Sequence, residues 1–127
     1  MAAEATMSKK KILIIEDSAF LSRILESGFV REGFEVSVCA DGESGLNAAK
    51  QEMPDLIILD LILPKLSGEA VCKEIRKDDK IKATPIIMLT SKDSEADKII
   101  GKVIGADKYL PKPFNADELF KEVRDLI

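Results

Sequence analysis

Five side chains stand where chemistry is commonly done. Glu16 and Asp17 follow the apolar run Ile12-Leu13-Ile14-Ile15, and Asp60 closes the run Leu56-Ile57-Ile58-Leu59. Thr90 closes Ile86-Ile87-Met88-Leu89, and Lys112 follows the short run Lys108-Tyr109-Leu110. Three carboxylates, a hydroxyl and an ammonium are thus delivered from separate segments, each at the same end of its apolar run. Two like charges about 4 Å apart repel by roughly 4 kcal/mol at an effective dielectric near 20. A gathering of carboxylates therefore calls for a cation. Few protein ligands and an open edge suit Mg²⁺ or Mn²⁺, hard ions that take oxygen donors, keep several waters and bind phosphate. An aspartate beside such an ion is a competent nucleophile toward phosphorus. The ion and Lys112 would together neutralise the transferring oxygens.

Each of these residues has an ordinary explanation when taken alone. A Glu-Asp pair after a strand is often a solvated helix start, and an Asp often just terminates a strand. Thr90-Ser91 suits a cap or turn, Lys112 between Pro111 and Pro113 suits a surface lysine, and Tyr109 suits edge-strand packing. Their joint placement at the same end of successive strands is what these explanations leave out.

That placement depends on the elements between. Apolar runs alternate with helical periodicity along the whole chain. After Ile12-Leu13-Ile14-Ile15, the residues Leu21, Ile24, Leu25 and Phe29 mark one face of a helix that Gly33 ends. A second strand alternates from Phe34 to Ala40. Asp41 then caps a helix with Leu46, Ala49 and Met53 inward, and Ser67 caps another running to about Asp78. Ala96, Ile99, Ile100, Val103 and Ile104 form the stripe of a fourth helix, stopped at Gly105. Asn115 and Glu118 make a capping box for a fifth, whose inner face is Leu119, Phe120, Val123 and Ile127. Strict alternation predicts an α/β fold, a (βα)₅ doubly wound five-stranded parallel sheet. The first, third and fourth strands are apolar throughout and belong inside. The second and fifth are mixed and belong at the edges, which gives the order 2-1-3-4-5. Ligands bind such sheets outside the carboxyl ends of the strands, at the switch point between the first and third.

Bulk properties narrow the function classes. The 127 residues fit one domain, with residues 1–10 read as a disordered leader and 11–127 as the folded unit. A hydrophobic fraction of 46% and a charged fraction of 33% are those of a soluble globular domain. The net charge of −4, with its acidic excess in the half before Lys65, argues against direct nucleic-acid binding. No apolar run approaches the roughly 20 residues of a membrane span, and the leader has no apolar core for secretion. Histidine is absent, which excludes histidine-based catalysis, histidine zinc sites and a phosphohistidine on this chain. Cys39 and Cys72 lack motif spacing and read as buried free thiols in a reducing, cytoplasmic setting.

The sequence resembles the CheY-like receiver domain of bacterial response regulators from Lys11 to Ile127. The resemblance rests on Ile14-Ile15-Glu16-Asp17, on Pro54-Asp55 through Asp60-Leu61 with Pro64, and on Leu66-Ser67-Gly68. It continues through Pro85 to Thr90 and Gly105-Ala106-Asp107-Lys108-Tyr109-Leu110-Pro111-Lys112-Pro113-Phe114. It implies a flavodoxin-like fold in which Asp60 is the phosphoacceptor, fed by a sensor histidine kinase or a histidine phosphotransfer protein. Glu16, Asp17, Asp60 and the backbone carbonyl of Ile62 would hold Mg²⁺. Lys112 would contact the phosphoryl group, and Thr90 and Tyr109 would form the switch. The fourth helix, fifth strand and fifth helix would present the changed surface to a downstream protein, or pair it with a second copy on phosphorylation. Autophosphorylation from small donors and slow autodephosphorylation would be the only catalysis.

The chain departs from the family at Leu63, where Met is frequent, and at Gly45, where Ala is common and helix propensity higher. Ile62 and Lys92 occupy two positions that vary among family members. Ile62 offers no hydrogen bond to orient a hydrolytic water, and Lys92 would pair with phosphoryl oxygens. Both predict a long-lived phosphoaspartate. One alternative is a receiver excised from a larger DNA-binding regulator or hybrid histidine kinase. Another is a Mg²⁺-dependent phosphohydrolase, but such enzymes usually place a second acid where Ile62 stands. A flavin binder of the same fold would need a phosphate loop where Glu16-Asp17 would repel it.

Overall fold

The computed structural model describes residues 9–90 and 105–127. Among them, β1 (Lys11–Ile15), β2 (Glu35–Cys39), β3 (Leu56–Asp60), β4 (Ile86–Thr90) and β5 (Lys108–Pro111) form one sheet. All its pairings are parallel and its order is β2-β1-β3-β4-β5. The helices are α1 (Ala19–Arg31), α2 (Gly42–Glu52), α3 (Gly68–Lys77) and α4 (Ala116–Leu126). The helix expected from Ala96, Ile99, Ile100, Val103 and Ile104 falls outside the described residues, and so does Lys92.

Strand composition places the edges as expected. β3 and β4 are buried along their full length and β1 from Ile12 onward, whereas β2 and β5 keep exposed positions. Alternate side chains of the inner strands feed two cores, one on each face. Leu13, Ile15, Ile57, Leu59, Ile86 and Met88 meet Ala49 of α2 and Val71, Cys72 and Ile75 of α3. Ile12, Ile14, Leu56, Ile58, Ile87 and Leu89 meet Leu25 and Phe29 of α1 and Leu119 and Val123 of α4. On that second face Gly28 admits the ring of Phe120, which stands edge-on to Phe29 at 4.8 Å.

The caps explain where the helices start. Asp41 accepts from the Ser44 N–H at 2.8 Å, Ser67 from the Ala70 N–H at 3.2 Å, and Asn115 from the N–H groups of Asp117 and Glu118. Ser18 caps α1 through the Leu21 N–H. Gly33 follows that helix with φ at +99°, a conformation that favours glycine.

Three inward assignments need correction. Ile24 is 48% exposed because the buried arc of α1 is centred on Ser22, Leu25 and Phe29. Ile24 lies at its rim, on a groove of about 680 Å³ toward Phe120 of α4. Met53 is 54% exposed because it is the left-handed C-cap of α2, beyond the helical stripe. Cys39 is half-buried on the edge strand, and only Cys72 is buried. Neither forms a disulfide, and burial pushes both up from their ordinary pKa.

Gly45 also reads differently in three dimensions. A Cβ there would lie 2.6–2.8 Å from three side-chain carbons of Ile15, which is fully buried and has no room to yield. The glycine lets α2 press against β1 directly below Glu16. Gly45→Ala should therefore lose about 1 kcal/mol in denaturant unfolding, overpacking outweighing the gain in helix propensity. A stabilised variant would mean that the approach is not tight.

Candidate functional site

The carboxyl ends of β1, β3, β4 and β5 deliver the five residues to one edge of the sheet. Glu16 leaves β1 with its N–H bonded to the Cys39 carbonyl at 3.0 Å, and its carboxylate is buried. One Glu16 oxygen accepts from the Ser18 N–H at 3.0 Å, and the other meets Lys112 Nζ at 2.6 Å. Asp17 is exposed beside it. Asp60 is the last residue of β3 and is 6% exposed. Its Oδ1 accepts from the Ile62 N–H at 3.2 Å, and its Oδ2 meets Lys112 Nζ at 3.2 Å.

One oxygen from each of Glu16, Asp17 and Asp60 lies within 4.8 Å of the other two. At that separation each pair repels by roughly 3–4 kcal/mol at a dielectric near 20. The only ammonium joined to this set among the described residues is Lys112. Burial would pull the Lys112 pKa down. The hydrogen bond to Glu16 and the charges of Asp60 and Glu16 outweigh it and hold the group above its ordinary value. Three carboxylates against one ammonium leave negative charge over. The donors are all hard oxygens, with no imidazole or thiolate among them, so the set fits a hard divalent cation.

The remaining expected residues are placed as follows. Thr90 ends β4, fully buried, and its carbonyl accepts from the Lys112 N–H. Tyr109 is half-buried and packs on the core face that carries Leu13 and Met88. The Ile62 side chain is 57% exposed, while its N–H faces Asp60. Lys92 lies outside the described residues.

Sequence reasoning missed two supports. Ser18 both caps α1 and braces Glu16 through its N–H, and a Ser just before a helical pattern is a signal that would have found it. Gly68 packs so closely on the end of β3 that a Cβ would overlap the Asp60 carbonyl, and its N–H bonds the Leu61 carbonyl at 2.9 Å. No one-dimensional pattern reports such a contact.

A family model, the response regulator receiver domain, matches residues 12–124. The chain belongs to this family. Receivers serve phosphorylation-based signalling in two-component systems. The "Probable transcriptional regulator ycf27" of Guillardia theta is 46% identical over 94% of this chain and 46% of its own. The alkaline phosphatase synthesis transcriptional regulatory protein PhoP of Bacillus subtilis is 42% identical over 93% of this chain and 48% of its own. The chain thus spans about half the length of these curated relatives. Among solved structures it is similar to the chemotaxis protein CheY4 of Vibrio cholerae. The TM-score is 0.88 at 33% identity, covering 94% of this chain and 100% of that one. It is also similar to the receiver domain of a Pseudomonas aeruginosa sensor histidine kinase, solved with a magnesium ion in its active-site cleft. Here the TM-score is 0.86 at 29% identity, covering 94% and 98%. Among the described residues of this receiver, no helix is long and apolar enough to cross a membrane.

Proposed function

We propose that Asp60 accepts a phosphoryl group from a phosphohistidine on a sensor histidine kinase or a histidine phosphotransfer protein. The observation that carries this is the convergence of Glu16, Asp17 and Asp60 within 4.8 Å, with the Lys112 ammonium paired to Glu16 and Asp60. In the transfer a carboxylate oxygen of Asp60 forms the new bond to phosphorus while the donor's nitrogen–phosphorus bond breaks, its electron pair staying on nitrogen. Glu16, Asp17, Asp60 and the Ile62 carbonyl would hold Mg²⁺ or Mn²⁺, which when bound offsets the charge of the carboxylates and of the incoming phosphoryl oxygens. Lys112, already 3.2 Å from Asp60, would turn part of its hydrogen bonding to a phosphoryl oxygen. Thr90 and Tyr109 would register the new charge, Thr90 at the end of β4 and Tyr109 within β5, the strand that pairs with it. The exposed Ile62 side chain supports a slow release of phosphate, since it presents no hydrogen bond to an attacking water.

Incubation with acetyl phosphate and Mg²⁺, followed by intact mass, should show one added phosphoryl group, removed on chelation of the metal before mixing. No uptake, or continuous turnover of a phosphate ester without a covalent adduct, would defeat the proposal. A second role is favoured by the half-length coverage of relatives named as transcriptional regulators. The receiver would then control a DNA-binding segment in a longer gene product. The full open reading frame tests that.

A further inference from the structure

The α3 helix bears on the site at one end and on the roots of two strands at the other. Its first residue, Gly68, lies against the Asp60 carbonyl. At its last turn Arg76 spreads one guanidinium over four acceptors. Nε reaches the Gly105 carbonyl at 2.8 Å, Nη1 the carbonyls of Lys82 at 3.0 Å and Thr84 at 2.7 Å, and Nη2 the Asp107 carboxylate at 2.9 Å. The same Asp107 oxygen accepts from the Ile86 N–H at 2.8 Å, and the Asp107 N–H donates to the Ile86 carbonyl at 2.9 Å. The chain entering β4, the first residue of β4 and the chain entering β5 are therefore tied to one side chain of α3.

Gly105 is part of this arrangement. Its φ is +97°, and a Cβ there would lie 3.2 Å from Arg76 Cγ and Nε, so glycine suits both the backbone and the approach of the guanidinium. A planar fork of donors is required to meet several carbonyls and a carboxylate at once, which a lysine ammonium cannot reproduce. The Arg76 and Asp107 side chains are 22% and 42% exposed, so the ion pair alone is a modest interaction. The carbonyl bonds give it geometric force. From this root β4 and β5 run side by side, Ile87 beside Lys108 through Thr90 beside Pro111. Lys112 follows, its N–H on the Thr90 carbonyl and its ammonium between Glu16 and Asp60.

We propose that Arg76, with Asp107, is a positioning residue for phosphoryl transfer. Acting along α3, it holds the roots of β4 and β5 at a fixed offset from the acceptor strand and so sets where Lys112 meets Asp60. This rests on Asp60 as acceptor and Lys112 as its cationic partner.

The test is the initial rate of phosphoryl uptake from acetyl phosphate with saturating Mg²⁺, in a double-mutant cycle of Arg76→Ala and Lys112→Ala. Arg76→Ala should slow uptake by about five- to tenfold in the parent. In the Lys112→Ala background, which should itself be slow but measurable, the same change should have less than about a twofold effect. A parent rate left unchanged by Arg76→Ala would overturn the proposal. So would an equal fractional loss in both backgrounds, which reports general loosening. Asp107→Asn keeps an oxygen for the Ile86 N–H and removes the charge. It replaces Arg76→Ala if that variant does not fold by circular dichroism, with a smaller loss of about two- to threefold, again absent without Lys112. Failure of the parent to take up phosphate would count against Asp60 as acceptor, an outcome distinct from loss of the coupling.

Discussion

Asp60→Asn should take up no phosphoryl group from acetyl phosphate, where the parent takes up one. The amide keeps the shape of the carboxylate and an oxygen able to accept from the Ile62 N–H, so the turn after β3 has no reason to change. What is lost is the charged nucleophile, since a neutral amide oxygen does not form a stable acyl phosphate. Lys112 retains its 2.6 Å bond to Glu16, which keeps the ammonium compensated. The variant should therefore melt within a few degrees of the parent while its intact mass stays unmodified. Equal labelling of the variant would place the acceptor elsewhere.

The second large effect concerns Asp17. Glu16 and Asp60 each carry protein hydrogen bonds, but Asp17 is exposed and makes no hydrogen bond or ion pair among the described residues. Its contribution to the metal-free site is mainly repulsion. Asp17→Ala should weaken Mg²⁺ binding at least tenfold, roughly 1.4 kcal/mol, measured by calorimetric titration. The same variant should be as stable as the parent or slightly more so without metal. An unchanged Mg²⁺ affinity would exclude Asp17 as a ligand. Glu16→Ala is a poor substitute for this test, because it would also take from Lys112 its 2.6 Å partner, leaving it Asp60, and deprive the Ser18 N–H of its acceptor.

Much of this was legible in one dimension, and for a physical reason. Strands buried on both faces must be apolar throughout, so the composition of Leu56–Asp60 and Ile86–Thr90 placed them inside the sheet, and mixed composition placed β2 and β5 at its edges. In a parallel sheet every strand points the same way. The residue after each apolar run is then bound to reach the same edge, which is how Glu16, Asp60 and Lys112 were found together. Illegible were the features that depend on distance between helices and strands. Ile24 belongs to the apolar pattern of α1 but sits at the rim, because the position of a helix over a sheet decides which part of its stripe is covered. Gly45 looked like a weak helix residue and proved to be a contact with Ile15. Arg76 carries no motif that would single it out, since carbonyl partners at Lys82, Thr84 and Gly105 leave no mark in composition.

The two faces of the sheet also differ in when they can be completed. The buried residues of one core run from Leu13 to Met88, so a chain emerging from the ribosome N-terminus first has all of them in hand well before its last strand. The other core includes Leu110, Leu119 and Val123, and the ring of Phe120 that seats on Gly28. Until those residues are made, α1 has only part of its apolar partner surface, and Leu25 and Phe29 remain accessible to chaperones or to other nascent chains. The receiver's assembly during synthesis is thus ordered face by face, with the layer that binds the first helix sealed only once β5 and α4 have been made.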